Sequence, residues 1–284
     1  MMKRFIYRFA AVLATACLAA CTADEGTLPG NDAEPVVTIY QYATALPYDV
    51  DTDTALRFVG NSATEQAYYF AEPTTDYEAR IASSGEAGYI DYVIHNGTAL
   101  SDVKGASYSD VVLTGLAGEY TISAVAVGGG KTSIRTVNFT GIKWTDVTTG
   151  TYYFDALAAL GRGNLDPRPT VLQQCETDEN LYRLKDVFGA GYHLKLNILP
   201  GYTGKDENGE YRFFRVPDTE TSISYGDYGH IFVRDIGYWQ GNDGFVTEGG
   251  YESGMYEDGS CFLYLQYHVS AGSLGFDYDS FEAD

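Results

Sequence analysis

The chain has 284 residues with 39 Asp and Glu against 18 Lys and Arg, a net charge of −21. A body this acidic repels phosphate backbones and anionic lipid heads, which excludes nucleic acid as a partner and leaves neutral ligands such as glycans, or cations. The same charge also serves solubility alone, the simpler account.

Residues 1–20 carry a positive start, Lys3, Arg4 and Arg8, then a short apolar run from Phe9 to Leu18. That run is shorter than the roughly 20 apolar residues a membrane-spanning helix needs and has the layout of a secretory signal. Leu18-Ala19-Ala20-Cys21 then resembles the lipobox of bacterial lipoproteins. The resemblance implies cleavage before Cys21 and its lipidation, with Cys17 a poorer rival. It implies a body held in the outer membrane by acyl chains, each buried methylene contributing about 0.8 kcal/mol. Loss of the three signal cations takes the net charge from −21 to −24. Residues 21–35 form an acidic tether. Asp24 and Glu25 behind the anchor resemble the export signal of Bacteroidetes-type surface lipoproteins, which implies the cell surface.

From Val36 the pattern is β. Val36 to Tyr40, Ala67-Tyr68-Tyr69-Phe70, Tyr92-Val93-Ile94 and Tyr120 to Val127 read as strands, the last alternating cleanly. Residues 78–86 carry at most a helical turn. Gly128-Gly129-Gly130 makes a hairpin into a strand over Ser133–Phe139. Short strands between turn signals argue for an all-β sandwich. Gly115-Leu116 followed by Tyr120-Thr121-Ile122 then resembles the strand E–F corner and strand F of fibronectin type III domains, covering residues 36–142. The Leu116-to-Tyr120 spacing is two residues shorter than the usual form, which leaves another immunoglobulin-like sandwich open. The family's role is mostly scaffolding, and such a fold names no activity.

Residues 143–284 read as a second β-sandwich domain. Leu181–Leu184, Tyr192–Ile198, Tyr211–Val216, His230–Val233 and Phe262–Val269 are its strands, with hairpin signals at Asn208-Gly209 and Asp258-Gly259 and a turn over Gly241–Gly244. The spread from Trp144 through Gly150 and Tyr152 to Tyr182-Arg183-Leu184 is similar to the C-terminal domains of uncharacterised Bacteroidetes lipoproteins, a likeness that implies no chemistry. Trp144, at the boundary, packs the two domains together.

No sequence signature of a catalytic nucleophile, metalloprotease or phosphate loop occurs, and His95, His193, His230 and His268 lie far apart. The reading therefore leans away from an enzyme and implies no cofactor and no metal site. Asp49, Asp51 and Asp53 resemble the start of a calcium loop, but the glycine and twelfth-position glutamate of such a loop are Thr54 and Gly60 here, so a solvated loop is expected. Asp53-Thr54-Ala55 resembles a Bacteroidetes O-glycosylation motif, which implies modification at Thr54 on an exposed loop. Cys175 and Cys261 form either a disulfide or two buried free thiols.

The 25 tyrosines are the most suggestive functional feature. Sugar rings stack on aromatic faces while amide and carboxylate oxygens accept from hydroxyls. Tyr238, Trp239, Asn242, Asp243 and Tyr251 gather those groups at one expected hairpin, the candidate ligand site. The function expected is a non-catalytic binding or structural component of the surface, with glycan as favoured ligand. An adhesin or assembly subunit with a protein partner and a glycan-active hydrolase are the alternatives.

Overall fold

A computed structural model describes residues 34–161, 165–237, 241–248 and 250–284. The signal segment, Cys21 and the tether up to residue 33 lie outside the described residues. No described helix is long and apolar enough to cross a membrane.

The structure is predominantly β. In chain order the first strands are β1 (Val37–Ala43), β2 (Thr54–Gly60) and β3 (Gln66–Pro73), followed by helix α1 (Thr74–Asn96), then β4 (Thr98–Leu100), β5 (Tyr108–Leu113), β6 (Gly118–Gly128) and β7 (Lys131–Gly141). They make one sheet ordered β1-β2-β5 and a second ordered β4-β3-β6-β7. Alternation sends Leu56 and Phe58 of β2, and Ile122, Ala124 and Ala126 of β6, into one core between the sheets. Leu116 is buried in that core and Tyr120 packs against it.

Helix α1 corrects the expectation of a single helical turn, and the Tyr92-Val93-Ile94 run is helical rather than a strand. Two serines and two glycines weaken its helical signal, and the helix kinks at Gly85, where φ is 66°. Its buried stripe is Tyr89, Ile90 and Val93, seated on Val125 across the outer face of the second sheet. The stripe is fixed by Glu72, whose carboxylate accepts from Tyr89 Oη at 2.8 Å and Arg80 Nε at 2.8 Å. This explains why Ile122 to Val127 are nearly all buried: β6 is covered on both faces.

The remaining strands are β8 (Trp144–Tyr153), β9 (Arg168–Cys175), β10 (Leu181–Leu184), β11 (Leu194–Lys205), β12 (Glu210–Arg215), β13 (Thr219–Ser224), β14 (His230–Asp235), β15 (Gly254–Tyr256), β16 (Cys261–Val269) and β17 (Gly272–Ala283). Two short helices, α2 (Asp155–Ala159) and α3 (Gly244–Thr247), interrupt them. The expected second sandwich is instead a barrel. Strands β8 to β12 and β15 to β17 pair antiparallel in chain order, and β17 pairs with both β16 and β8, which closes the sheet on itself. The β13–β14 hairpin is an excursion laid along β16. Eight strands leave an interior that side chains fill, here Leu172, Leu184, Leu196, Phe214, Leu265 and Phe281 among others. Both architectures give period-two patterns, so alternation could not separate them.

Cys175 and Cys261 are free and buried. They sit on β9 and β16, which are not neighbours in the barrel, so the disulfide alternative falls. Burial pushes the Cys261 thiol well above its ordinary range, leaving an inert packed group that donates to Gly259 O at 3.3 Å.

Candidate functional site

The loop of residues 44–53 keeps Tyr48 and Val50 exposed but turns its carboxylates inward: Asp51 and Asp53 are buried and Asp49 is half-buried, where a solvated set was expected. Asp53 folds it, accepting from the Asp49 N–H and the Gly115 N–H at 2.9 Å each. Asp49 and Asp51 then reach the barrel wall, where alternation turns Gln173, Arg183 and Lys195 outward on β9, β10 and β11. Arg183 Nη1 donates to Asp49 Oδ2 at 3.1 Å and Asp51 Oδ2 at 3.2 Å, and Lys195 Nζ donates to Asp51 Oδ1 at 2.6 Å. Arg183 lies 4.5 Å over the Trp144 ring, a contact within the barrel wall. Asp49 and Asp51 thus take their countercharges from more than 130 residues away, while Asp53 is satisfied by backbone N–H groups.

His193 completes the junction. Its Nδ1 accepts from the Asp186 N–H at 2.9 Å, which puts the proton of the neutral ring on Nε2. Nε2 lies 3.2 Å from Asp49 Oδ2 but off the hydrogen-bond direction, an electrostatic contact. Burial works against ionising Asp49, yet His193, Arg183 and the Asp51 N–H outweigh it and hold its carboxyl well below the usual range. Gly191, at φ 79°, lets the loop approach: a Cβ there would sit 1.8 Å from Pro47 O. Thr54 is 1 % exposed at the start of β2, its hydroxyl donating to Tyr42 O and accepting from Gln41, so the folded chain closes it to modification. The expected exposed loop is corrected because β2 begins at that residue.

Of the candidate ligand residues, Tyr238 and Trp239 lie outside the described residues. Asn242 and Asp243 are occupied by structure. Asn242 Oδ1 accepts from the Gly244 N–H at 2.9 Å, and Asp243 accepts from Arg215, which also binds the fully buried Asp235 at 3.1 Å. Among the described residues no strand pairing gathers them; between β14 and β15 the described residues carry α3.

Tyr251 has a different setting. Its ring lies 5.2 Å from Tyr264, which lies 4.7 Å from Tyr278 on the neighbouring strand. Phe262, Tyr211, Tyr256 and Phe213 continue the series at 4.9–6.4 Å, making an aromatic wall of seven rings on the outside of β12, β15, β16 and β17. Gly254 makes room for it, since a Cβ there would meet Phe262 and Tyr211 at 2.6 Å. Tyr251 and Tyr278 are the exposed members, 36 % and 37 %. Asp206 rims the wall, accepting from Tyr256 Oη at 2.6 Å; that bond and neighbouring amides hold its carboxyl below the usual range. Burial, then the charge of Glu252, pushes Tyr278 up to about 12, so its hydroxyl stays a donor at neutral pH. The wall presents apolar faces, phenol donors and carboxylate acceptors. Tyr211, Phe262, Tyr264 and Tyr278 escaped the sequence reading; the Phe262-x-Tyr264 alternation opposite Tyr278 was the available signal.

No protein-family model matches the chain, and no curated protein matches it. Among solved structures it is similar to a point mutant of Kfla1895, at TM-score 0.25 and 11% identity over 84% of this chain and 29% of that one. The same mutant in complex with isomaltose gives TM-score 0.25 and 9% identity over 82% and 28%. The chain spans less than a third of that protein's length, and a likeness at this TM-score carries no argument about fold or chemistry.

Proposed function

We propose that the chain is an exported lipoprotein, cut before Cys21 and held there in the outer membrane with its body at the cell surface, which captures neutral glycans without transforming them. Its first domain, 36–142, is read as fibronectin type III-like. The β1-β2-β5 sheet facing β4-β3-β6-β7 supports that reading, with α1 inserted between β3 and β4. The second domain, 143–284, supplies the binding surface.

The observation that carries the glycan reading is the aromatic wall around Tyr251, Tyr264 and Tyr278. Flat rings rimmed by carboxylate acceptors suit the apolar faces and hydroxyls of a sugar, while the acidic body repels charged polyanions. Residues 22–284, which include every described residue, are expected to retain neutral glycans on an array. Absence of any retained glycan, with a stable complex formed by a co-expressed neighbour, would overturn the ligand class. Cys21→Ser is expected to move the protein from membrane to soluble fractions; unchanged membrane retention would overturn the anchor.

A further inference from the structure

The two faces of the first domain are treated differently. Helix α1 covers the outside of the β4-β3-β6-β7 sheet, whereas no described element covers the outside of β1-β2-β5. Because Leu56 and Phe58 point into the core, Ala55 and Arg57 point outward, and their cross-strand partners share that face. One row is Tyr40, Arg57 and Asp110; the next is Tyr42, Ala55 and Val112. Tyr40 and Tyr42 are 46 % and 51 % exposed. The small Ala55 between Tyr42 and Val112 leaves a groove of about 480 Å³ ending at Arg57 and Asp110, within the size range of small-ligand sites.

The end of the groove is chemically specific. Arg57 Nε and Nη2 donate to the two Asp110 oxygens at 2.7 Å each, and the guanidinium stacks 4.3 Å over Tyr108. The bidentate pair is neutral as a unit and presents remaining guanidinium N–H donors beside carboxylate lone pairs. An anion at the remaining guanidinium donors would meet the Asp110 charge, and a cation at the remaining lone pairs would meet the Arg57 charge. A pair of adjacent hydroxyls, each able to donate and accept, satisfies both groups without breaking them apart.

We propose that this face is a second sugar site, with a neutral pyranose stacked on Tyr42 over Ala55 and two adjacent ring hydroxyls bridging Arg57 and Asp110. It shares its ligand class with the barrel wall but none of its residues, so each site fails or succeeds separately. Two sites on one tethered body raise avidity for a polysaccharide that reaches both.

The test is titration of residues 22–284 with methyl α-glucopyranoside, methyl α-mannopyranoside and methyl α-galactopyranoside at millimolar concentrations, read from backbone amide resonances. At least one sugar is expected to shift the amides of Ala55, Arg57, Asp110 and Val112. Tyr42→Ala and Arg57→Gln are expected to weaken that sugar at least tenfold, and Ala55→Leu to abolish binding by filling the groove with the polar pair intact. Tyr278→Ala, on the barrel, is expected to leave these shifts unchanged. No shift at the β2 and β5 amides with any of the three sugars, or shifts that survive both Tyr42→Ala and Ala55→Leu, would overturn the proposal. So would a concentration-dependent dimer lost in Tyr42→Ala, which would assign the face to a second copy of the chain.

Discussion

Arg183→Ala is expected to destabilise the protein by about 3–5 kcal/mol, the usual cost of removing one partner from a buried ion network. Arg183 is 4 % exposed and its donors serve Asp49, Asp51 and Gln173. Without it Asp51 keeps Lys195, but the second carboxylate oxygen stays buried without its cation, and the Trp144 face loses its cover. Arg183→Met restores much of the packing, so its difference from Arg183→Ala measures the stem and its difference from wild type measures the charge. Urea midpoints at neutral pH decide the matter; a loss below 1 kcal/mol in both variants would mean that the junction is not fastened by these charges. Acid acts on the same contact. The folded-state pKa of Asp49 is depressed, so its contribution is present above the unfolded value of about 4 and fades as pH falls below that toward the folded value.

The second large effect lies inside the barrel. Asp279 is 1 % exposed; its Oδ1 accepts from the Ala156 N–H at 2.8 Å, and its Oδ2 accepts from Tyr152 Oη at 2.8 Å and from Tyr267 Oη. It thereby ties α2, which follows β8, to β16 and β17. Asp279→Ala leaves three buried donors without an acceptor, each costing about 1–3 kcal/mol. Against this stands the cost of burying the charge, which raises the Asp279 carboxyl to about 6. A shift of that size corresponds to about 3 kcal/mol. The native state takes up its proton near pH 6 and the unfolded chain near 4, so the wild type gains stability as pH falls from 6 to 4 and carries the full burial cost above 6. Asp279→Ala is therefore expected to be destabilising at neutral pH and more so at pH 4, by up to about 3 kcal/mol. A penalty that is equal at both pH values would contradict the placement of this carboxyl.

These two sites show what the sequence made visible and what it hid. Strands with clean alternation were readable in place: the expected Tyr120–Val127 run lies within β6, the hairpin at residues 128–130 joins it to β7, and Leu181–Leu184 is β10. Asn208-Gly209 and Asp258-Gly259 mark the turns they were expected to mark, because a tight turn is a local property. The barrel closure was hidden, since it depends on β17 finding β8 across more than 120 residues and alternation carries no record of that pairing. Asp49 and Asp51 were misread for the same reason: their partners Arg183 and Lys195 are remote in sequence. Helix α1 was missed because Gly85, Gly88 and two serines dilute its stripe, while Tyr92-Val93-Ile94 carries strand-like residue types onto a helix that tertiary packing stabilises. At the ligand site, Tyr251 packs on Tyr264, a ring that composition did not single out, and Asn242 and Asp243 are engaged in contacts that composition could not foresee.

Glycan capture by the barrel wall is tested most directly by titrating the strongest-retained array glycan against wild type and the paired variants Tyr251→Ala and Tyr278→Ala, with melting temperatures alongside. These rings are the exposed members of the wall, and loss of a stacking face worth about 1.4 kcal/mol is a tenfold change in affinity. The account predicts at least tenfold weaker binding in each variant while its melting temperature stays well above that of the titration. Wild-type affinity in both variants would contradict it.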